Sequence, residues 1–187
     1  MPIAIIDGVS VGQSTAINFA VASKFGLMGD NSTQAAEILA VVEHVKEMQS
    51  ILRTLVPYPT TPTAEQLDSW FEAGATDATG IADGTNRTRH LKWWMGRIEN
   101  SLANNGFAVG NKLSLADVVI YNAFAETLLD NECGTPDMPA WRREPFGDKK
   151  RTDALLAAHP RLSASIAAVA GNANVQKWLS TRGPQYF

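Results

Sequence analysis

Apolar residues recur at steps of three and four along most of this chain, which is the spacing of one face of an α-helix. The longest run begins after the cap signal Asn31-Ser32-Thr33 and stops before Pro57 and Pro59. Its apolar positions are Ile38, Val41, Val42, Val45, Met48, Leu52 and Leu55. Shorter runs predict helices over 14–25, 63–71, 91–105, 115–124, 150–158 and 160–170, and a last helix around Trp178.

The first twelve residues follow a different pattern. An apolar run ends at Ile6, the dipeptide Asp7-Gly8 is a strong turn signal, and Val9-Ser10-Val11 alternates. This order predicts a small β-hairpin. Residues 74–86 and 134–147 lack any period and are expected to be irregular. The pattern as a whole therefore predicts a mostly α chain with a short piece of sheet at its start.

The stretch Ser114-Leu115-Ala116-Asp117 predicts a well-defined helix start. Ser114 is a good N-cap, and Asp117 stands three residues later, where its carboxylate can complete a capping box. The helix that follows is interrupted by polar groups only at Asp117 and Asn122, so it is expected to be the central, buried helix. Asp117 is interpreted as structural, and its loss is expected to cost on the order of 1 kcal/mol.

Composition narrows the class of protein. With 187 residues, 45% of them hydrophobic, the chain can bury the core of one domain, or of one domain with a small appendage. A net charge of −3 gives no reason to expect nucleic acid or an anionic membrane as a partner. No apolar run is long enough for a membrane span, no signal peptide is visible, and Cys133 is the single cysteine, so a cytoplasmic location is expected.

One segment carries candidate chemistry. Gln13 and Ser14 begin a predicted helix, where backbone N–H groups and a hydroxyl could hold a carboxylate. The alternative for Ser14 is a plain helix cap without a ligand. His44, His90 and His159 are too scattered for metal ligation, so no metal site is expected.

Several segments, taken in order, resemble the cytosolic glutathione transferases, nearest to the sigma-like, prostaglandin-D-synthase-type group. Residues 5–8, 12–17 and 24–29 look like the second half of that family's thioredoxin-like domain. Residues 106–117 look like the capping-box segment of its helical domain, and 172–182 like its closing helix. The resemblance implies an all-α C-terminal domain over 30–187, preceded by a partial thioredoxin-like β-β-α segment over 1–29.

The resemblance also implies a binding site for glutathione. Residues that match Gln13 and Ser14 hold its γ-glutamyl end in that family, and the residue at the position of Met1 offers its backbone to the cysteinyl part. Pro2 occupies the place of a proline that precedes the family's hairpin. Glu43 and Glu47 are both candidates for a contact with the glutathione bound by a partner subunit.

The family's activity joins the glutathione thiol to small hydrophobic electrophiles, and Tyr58 and Trp93 are candidates for the wall of an electrophile pocket. The family's thiol-activating Tyr, Ser or Cys belongs to a βαβ unit that would precede Pro2, so the catalytic residue is unassigned. A non-catalytic scaffold or assembly protein is the alternative function. A homodimer or a partner chain is expected to cover the incomplete sheet.

Overall fold

The computed structural model describes residues 2–57, 60–72, 89–128 and 140–184. Strands β1 (Ile3–Ile6) and β2 (Val9–Gly12) form an antiparallel hairpin, joined by Asp7 and Gly8, which both have positive φ. The helices are α1 (Ser14–Lys24), α2 (Ser32–Leu55), α3 (Ala64–Glu72), α4 (Leu91–Ser101), α5 (Leu115–Phe124), α6 (Lys149–Leu156), α7 (Pro160–Ala170) and α8 (Ala173–Thr181). Two 3-10 turns, Ala140–Arg142 and Pro145–Gly147, precede α6. The mostly α architecture predicted from the sequence is thus confirmed.

The core lies among α2, α4, α5 and α7. The apolar stripe predicted for α2 is its buried face, with Ile38, Val45 and Met48 fully inaccessible. Helix α5 packs against α2, α7 and α1, in agreement with its predicted central position. Val118 and Asn122 remain on an exposed strip of α5.

Local caps set several of the helix starts. The Asn31 side chain accepts a hydrogen bond from the Gln34 backbone N–H at 3.0 Å and fixes the first turn of α2. Thr63 and Gln66 form a reciprocal cap at the start of α3. The Gln66 side chain also donates to the Leu55 carbonyl at 2.7 Å, which joins α3 to the end of α2.

Helix α7 is capped from a distance. The carboxylate of Glu99, on α4, accepts hydrogen bonds from the backbone N–H groups of Arg161 and Leu162 at 3.0 and 2.9 Å. His159 is the N-cap residue of α7, but its side chain makes no capping hydrogen bond, because its Nδ1 lies 2.8 Å from the Leu155 carbonyl at the end of α6. A cap from another helix cannot be recognised from local spacing.

Helix α4 ends earlier than its pattern predicted. It stops at Ser101, because Leu102 has an extended backbone and the Ala103 N–H bonds to the Ala108 carbonyl, which closes a compact loop. Leu102 is nevertheless buried, so its side chain packs in the core although the residue lies outside the helix.

Ion pairs connect helices α3 and α6 at the surface. Arg151 on α6 pairs with Asp68 at 2.8 Å and with Glu72 at 2.9 Å, while its guanidinium lies over the Phe71 ring. Glu72 also pairs with Lys92 of α4. Hydrogen bonds from Lys92 and Arg151 lower the pKa of Glu72 below its ordinary value. These contacts link three helices that are far apart in sequence.

Candidate functional site

The open end of the hairpin brings together the predicted site residues near the N-terminus. The register pairs Ile3 with Gly12, so Pro2 and Gln13 both adjoin this last pair. Helix α1 begins at Ser14, immediately beyond. Pro2, Gln13 and Ser14 are all exposed, so this end of the hairpin is accessible to a ligand.

The backbone at the start of α1 has an unusual conformation. Gln13 is the N-cap residue, with a φ of 68°, and its side chain makes no capping hydrogen bond. A positive φ is strained for a residue with a side chain, and such strain is concentrated at functional sites. Ser14 is the first helical residue, as in the predicted range 14–25, and the N-cap is Gln13 rather than Ser14. The first N–H groups of a helix have no partner within it, and they lie at its positive end.

The predicted carboxylates of α2 are on its surface. Glu43 and Glu47 are both exposed, one turn apart, and Glu43 pairs with Lys46 at 2.8 Å. His44, between them, is half-buried against Trp94, and its Nδ1 has no hydrogen-bond partner. Burial lowers the pKa of His44 below 6.5, with a further lowering from Arg97 that Glu47 opposes.

The predicted aromatic wall is only partly described. Trp93 lies edge-on to the buried Trp94, with ring centroids 4.7 Å apart, and the Arg89 guanidinium is 4.8 Å from its ring centroid. Met1 and Tyr58 lie outside the described residues, as do Cys133 and the segment 74–86. Of the two predicted wall residues, the structure therefore describes Trp93 alone.

The Ser114–Asp117 capping box is present and completely buried. One Asp117 oxygen accepts hydrogen bonds from the backbone N–H and the hydroxyl of Ser114 at 2.8 and 2.7 Å. The other accepts from the Ala108 N–H and the Ser165 hydroxyl, both at 2.7 Å. The carboxylate thus fastens the loop before α5 and helix α7 to the start of α5, which is a structural role.

An open cavity of about 530 Å³ lies between the ends of α2 and α5 and the 3-10 turns. Its apolar lining includes Leu52, Val56, Ala123, Leu128 and Phe146. Trp93 is not among the residues that line it. Sequence reasoning missed this cavity, because its lining comes from three segments that are separated in the chain.

One wall of the cavity is fixed by an ion pair. Glu126 lines the cavity and pairs with Arg182, whose side chain is almost inaccessible. Asn122 donates a second hydrogen bond to Glu126, and the Arg182 guanidinium also lies 5.1 Å from the ring centroid of Trp178. The end of the described chain is thereby attached to the end of α5.

Two other kinds of site, a membrane-spanning helix and a metal centre, are absent from the described ranges. No helix there combines the length and the apolar character needed to cross a membrane. No group of three or more His, Cys, Asp or Glu residues in those ranges is placed to hold a metal ion.

The sequence is similar to a known protein family and to its members. A family model described as "Glutathione S-transferase, C-terminal domain" matches residues 69–182. A protein named "Probable glutathione S-transferase 6" from Caenorhabditis elegans is 32% identical over 136 residues, which are 71% of this chain and 59% of that protein. "Probable glutathione S-transferase 7" from the same organism is 25% identical over 97% of this chain and 73% of its own length. The chain thus spans about three fifths of the first relative.

Solved structures share the fold. A nematode-specific glutathione transferase of C. elegans superposes with a TM-score of 0.66 at 21% identity, over 100% of this chain and 75% of that one. Na-GST-3 of the hookworm Necator americanus, described as monomeric, gives a TM-score of 0.64 at 20% identity, over 100% of this chain and 76% of its own. At this level of identity the likeness concerns the fold alone.

Proposed function

Because the chain belongs to the glutathione S-transferase family through its C-terminal domain, we propose that it binds glutathione at the start of α1. The single observation that carries this proposal is the exposed helix start at Gln13 and Ser14, beside Pro2 at the open end of the hairpin. The division into a glutathione-binding segment 1–29 and a helical domain 30–187 is part of the same proposal.

The γ-glutamyl end of glutathione fits this position chemically. Its α-carboxylate can accept hydrogen bonds from the first N–H groups of α1 and from the Ser14 hydroxyl, at the positive end of the helix. The Gln13 amide can both donate and accept, so it suits the zwitterionic head group. Pro2 and the backbone of Met1 are proposed to flank the rest of the peptide.

The proposed reaction joins glutathione through its sulfur to a small hydrophobic electrophile, with loss of the thiol proton and of any leaving group on the electrophile. The thiolate is the nucleophile in such a reaction, because the thiol reacts poorly near neutral pH. No residue of this chain is assigned to activating the thiol, so the reaction rests on family membership rather than on a catalytic side chain. Trp93 and Tyr58 remain the proposed electrophile wall, and Glu43 and Glu47 the proposed contacts to glutathione on a partner subunit.

A second candidate function is non-catalytic assembly. Large apolar side chains are exposed on the hairpin and on α1, with Ile5 79% and Phe25 72% exposed. Such side chains favour coverage by a second copy or another chain.

Membership of the sigma-like subgroup and a cytoplasmic location also remain proposals for this protein.

The proposal is tested by calorimetric titration of the 187-residue protein with glutathione and with cysteinylglycine, which lacks the γ-glutamyl group. We expect glutathione to bind more tightly, and Ser14→Ala to reduce that advantage about threefold to tenfold, because one hydrogen bond to a charged group is lost. Ser23→Ala, at the opposite, exposed end of α1, is the matched control and should change nothing. Equal affinity for the two peptides would refute the site.

Turnover with a chromogenic aryl halide distinguishes the two functions. Conjugation above the uncatalysed rate supports a transferase. Glutathione binding without turnover supports the assembly function.

A further inference from the structure

The last helix, α8, contributes little buried surface of its own. Val175 and Leu179 are half-buried, and every other residue of Ala173–Thr181 is exposed. Helix α7, which directly precedes it, buries Leu162 and Val169 in the core. A helix as short as α8 is not stable alone in water, because its first turn is costly to form. Helix α8 therefore depends on the contacts at its two ends.

The two ends of α8 are held in different ways. At its start the chain continues from α7, and the Asn172 side chain accepts hydrogen bonds from the backbone N–H groups of Asn174 and Val175 at 3.0 and 3.2 Å. At its end Arg182 pairs with Glu126, which follows α5. The start is thus held by neighbours in sequence, and the end by a tertiary ion pair.

The ion pair at the end of α8 is largely shielded from water. The side chains of Arg182 and Glu126 are 3% and 16% exposed, and Asn122 donates a further hydrogen bond to Glu126. The Arg182 guanidinium also lies 5.1 Å from the ring centroid of Trp178, so α8 packs on the pair that attaches it. Loss of one partner would leave the other charge poorly solvated and uncompensated. The attachment of α8 is therefore sensitive to the charge of Glu126.

We propose that α8 is a strap that detaches from the protein as one unit, with its hinge at Gly171 and Asn172 and its attachment at the Glu126–Arg182 pair. Local opening of this kind is expected of an element with few buried apolar contacts. When the strap is detached, Glu126 is separated from Arg182, and a carboxylate without this counter-charge lines the cavity. The strap thereby couples the position of α8 to the charge of the cavity wall. It requires neither glutathione nor a ligand in the cavity.

The test is hydrogen–deuterium exchange of the 187-residue protein, followed by mass spectrometry of peptides from each helix. We expect the amides of α8 to exchange together, and at least about tenfold faster than those in the interior of α7. Glu126→Gln removes the charge and keeps the shape, so it should accelerate exchange in α8 about tenfold further and leave α7 unchanged. Asp153→Asn breaks an exposed pair with Lys149, and as the matched control it should change neither helix.

Cleavage by trypsin gives a second, independent measure of the same opening. Lys177 lies within α8 and Lys46 within α2, and both are exposed. Glu126→Gln should speed cleavage after Lys177 about tenfold and leave cleavage after Lys46 unchanged, because a protease cuts the locally opened form. The proposal is overturned if α8 exchanges as slowly as α7 in the unsubstituted protein, if Glu126→Gln accelerates both helices equally, or if it accelerates neither.

Discussion

At the scale of single residues, Asp117 shows how one carboxylate can organise a domain. It is 0% exposed, and its hydrogen bonds reach the loop before α5, the first turn of α5 and helix α7. The sequence predicted the contact with Ser114, because a capping box is a local pattern with a fixed spacing. The bonds to Ala108 and Ser165 depend on tertiary packing, and no local pattern contains them.

These additional bonds raise the expected cost of losing Asp117. Asp117→Ala leaves the buried donors of Ser114, Ala108 and Ser165 unsatisfied, so we expect a loss of about 3 kcal/mol or more in the free energy of unfolding, measured in urea. Asp153→Ala breaks an exposed pair with Lys149 and should cost less than about 1 kcal/mol. Equal losses in the two variants would contradict the buried network.

His44 gives a prediction for the effect of pH. Burial, and next Arg97, lower its pKa below 6.5, so the unfolded chain binds a proton more readily than the folded one. The stability due to neutral His44 is therefore present above pH 6.5 and is lost as the pH falls below it. We expect the free energy of unfolding to fall from pH 7 to pH 5, with a contribution of at most about 1.4 kcal/mol per pH unit from this group. His44→Gln should flatten that slope, and an unchanged slope would refute the assignment.

At the scale of elements, two glycines in the connection from α1 to α2 allow a matched comparison. Gly26 and Gly29 both have positive φ, at 72° and 77°. A Cβ added to Gly26 would meet nothing within 4 Å, whereas one added to Gly29 would lie 2.6 Å from the Gln34 Cβ. The two positions therefore have the same backbone requirement and differ in available space.

We expect Gly26→Ala to lower the free energy of unfolding by about 1 kcal/mol, from the left-handed backbone alone. Gly29→Ala should cost at least about 1 kcal/mol more, because Gln34 must also move and its hydrogen bond from the Asp30 N–H would be strained. Thermal unfolding of both variants measures the difference. Equal losses in the free energy of unfolding would show that Gln34 moves aside without cost, which would contradict this prediction.

Helix positions were predictable where apolar spacing and caps agreed, as in α2 and α3. Helix ends were less predictable where a buried apolar side chain belongs to a loop, as Leu102 does. Helix α1 is an example, because its apolar residues Val21 and Phe25 are exposed while Ala22 is buried. Periodicity identifies an apolar face, but the neighbours present decide whether that face is covered.

At the scale of the whole molecule, the helical core and the hairpin differ in how far their apolar surface is covered. Ile3 and Ile5 project from one face of β1 and are 67% and 79% exposed. The Ser114–Asp117 box could be recognised from the sequence, whereas the cavity at the ends of α2 and α5 could not. Its lining comes from segments that only the tertiary fold brings together.

The exposed hairpin face predicts self-association of the 187-residue chain. Ile5→Lys should weaken association at least tenfold in sedimentation velocity over a concentration series, because a buried isoleucine contributes roughly 1.5–3 kcal/mol. Ala167→Lys places the same charge on the exposed surface of α7 and should have little effect. A wild-type chain that stays monomeric throughout the series would contradict this prediction.

The long-range cap on α7 has a consequence for hydrogen exchange. The amide protons of Arg161 and Leu162 belong to the first turn of α7, where amides usually exchange rapidly, yet Glu99 of α4 accepts both. Their exchange therefore requires α4 and α7 to separate, rather than the end of α7 to fray. Deuterium uptake at these two amides would report how often the contact between the two helices opens in the native protein.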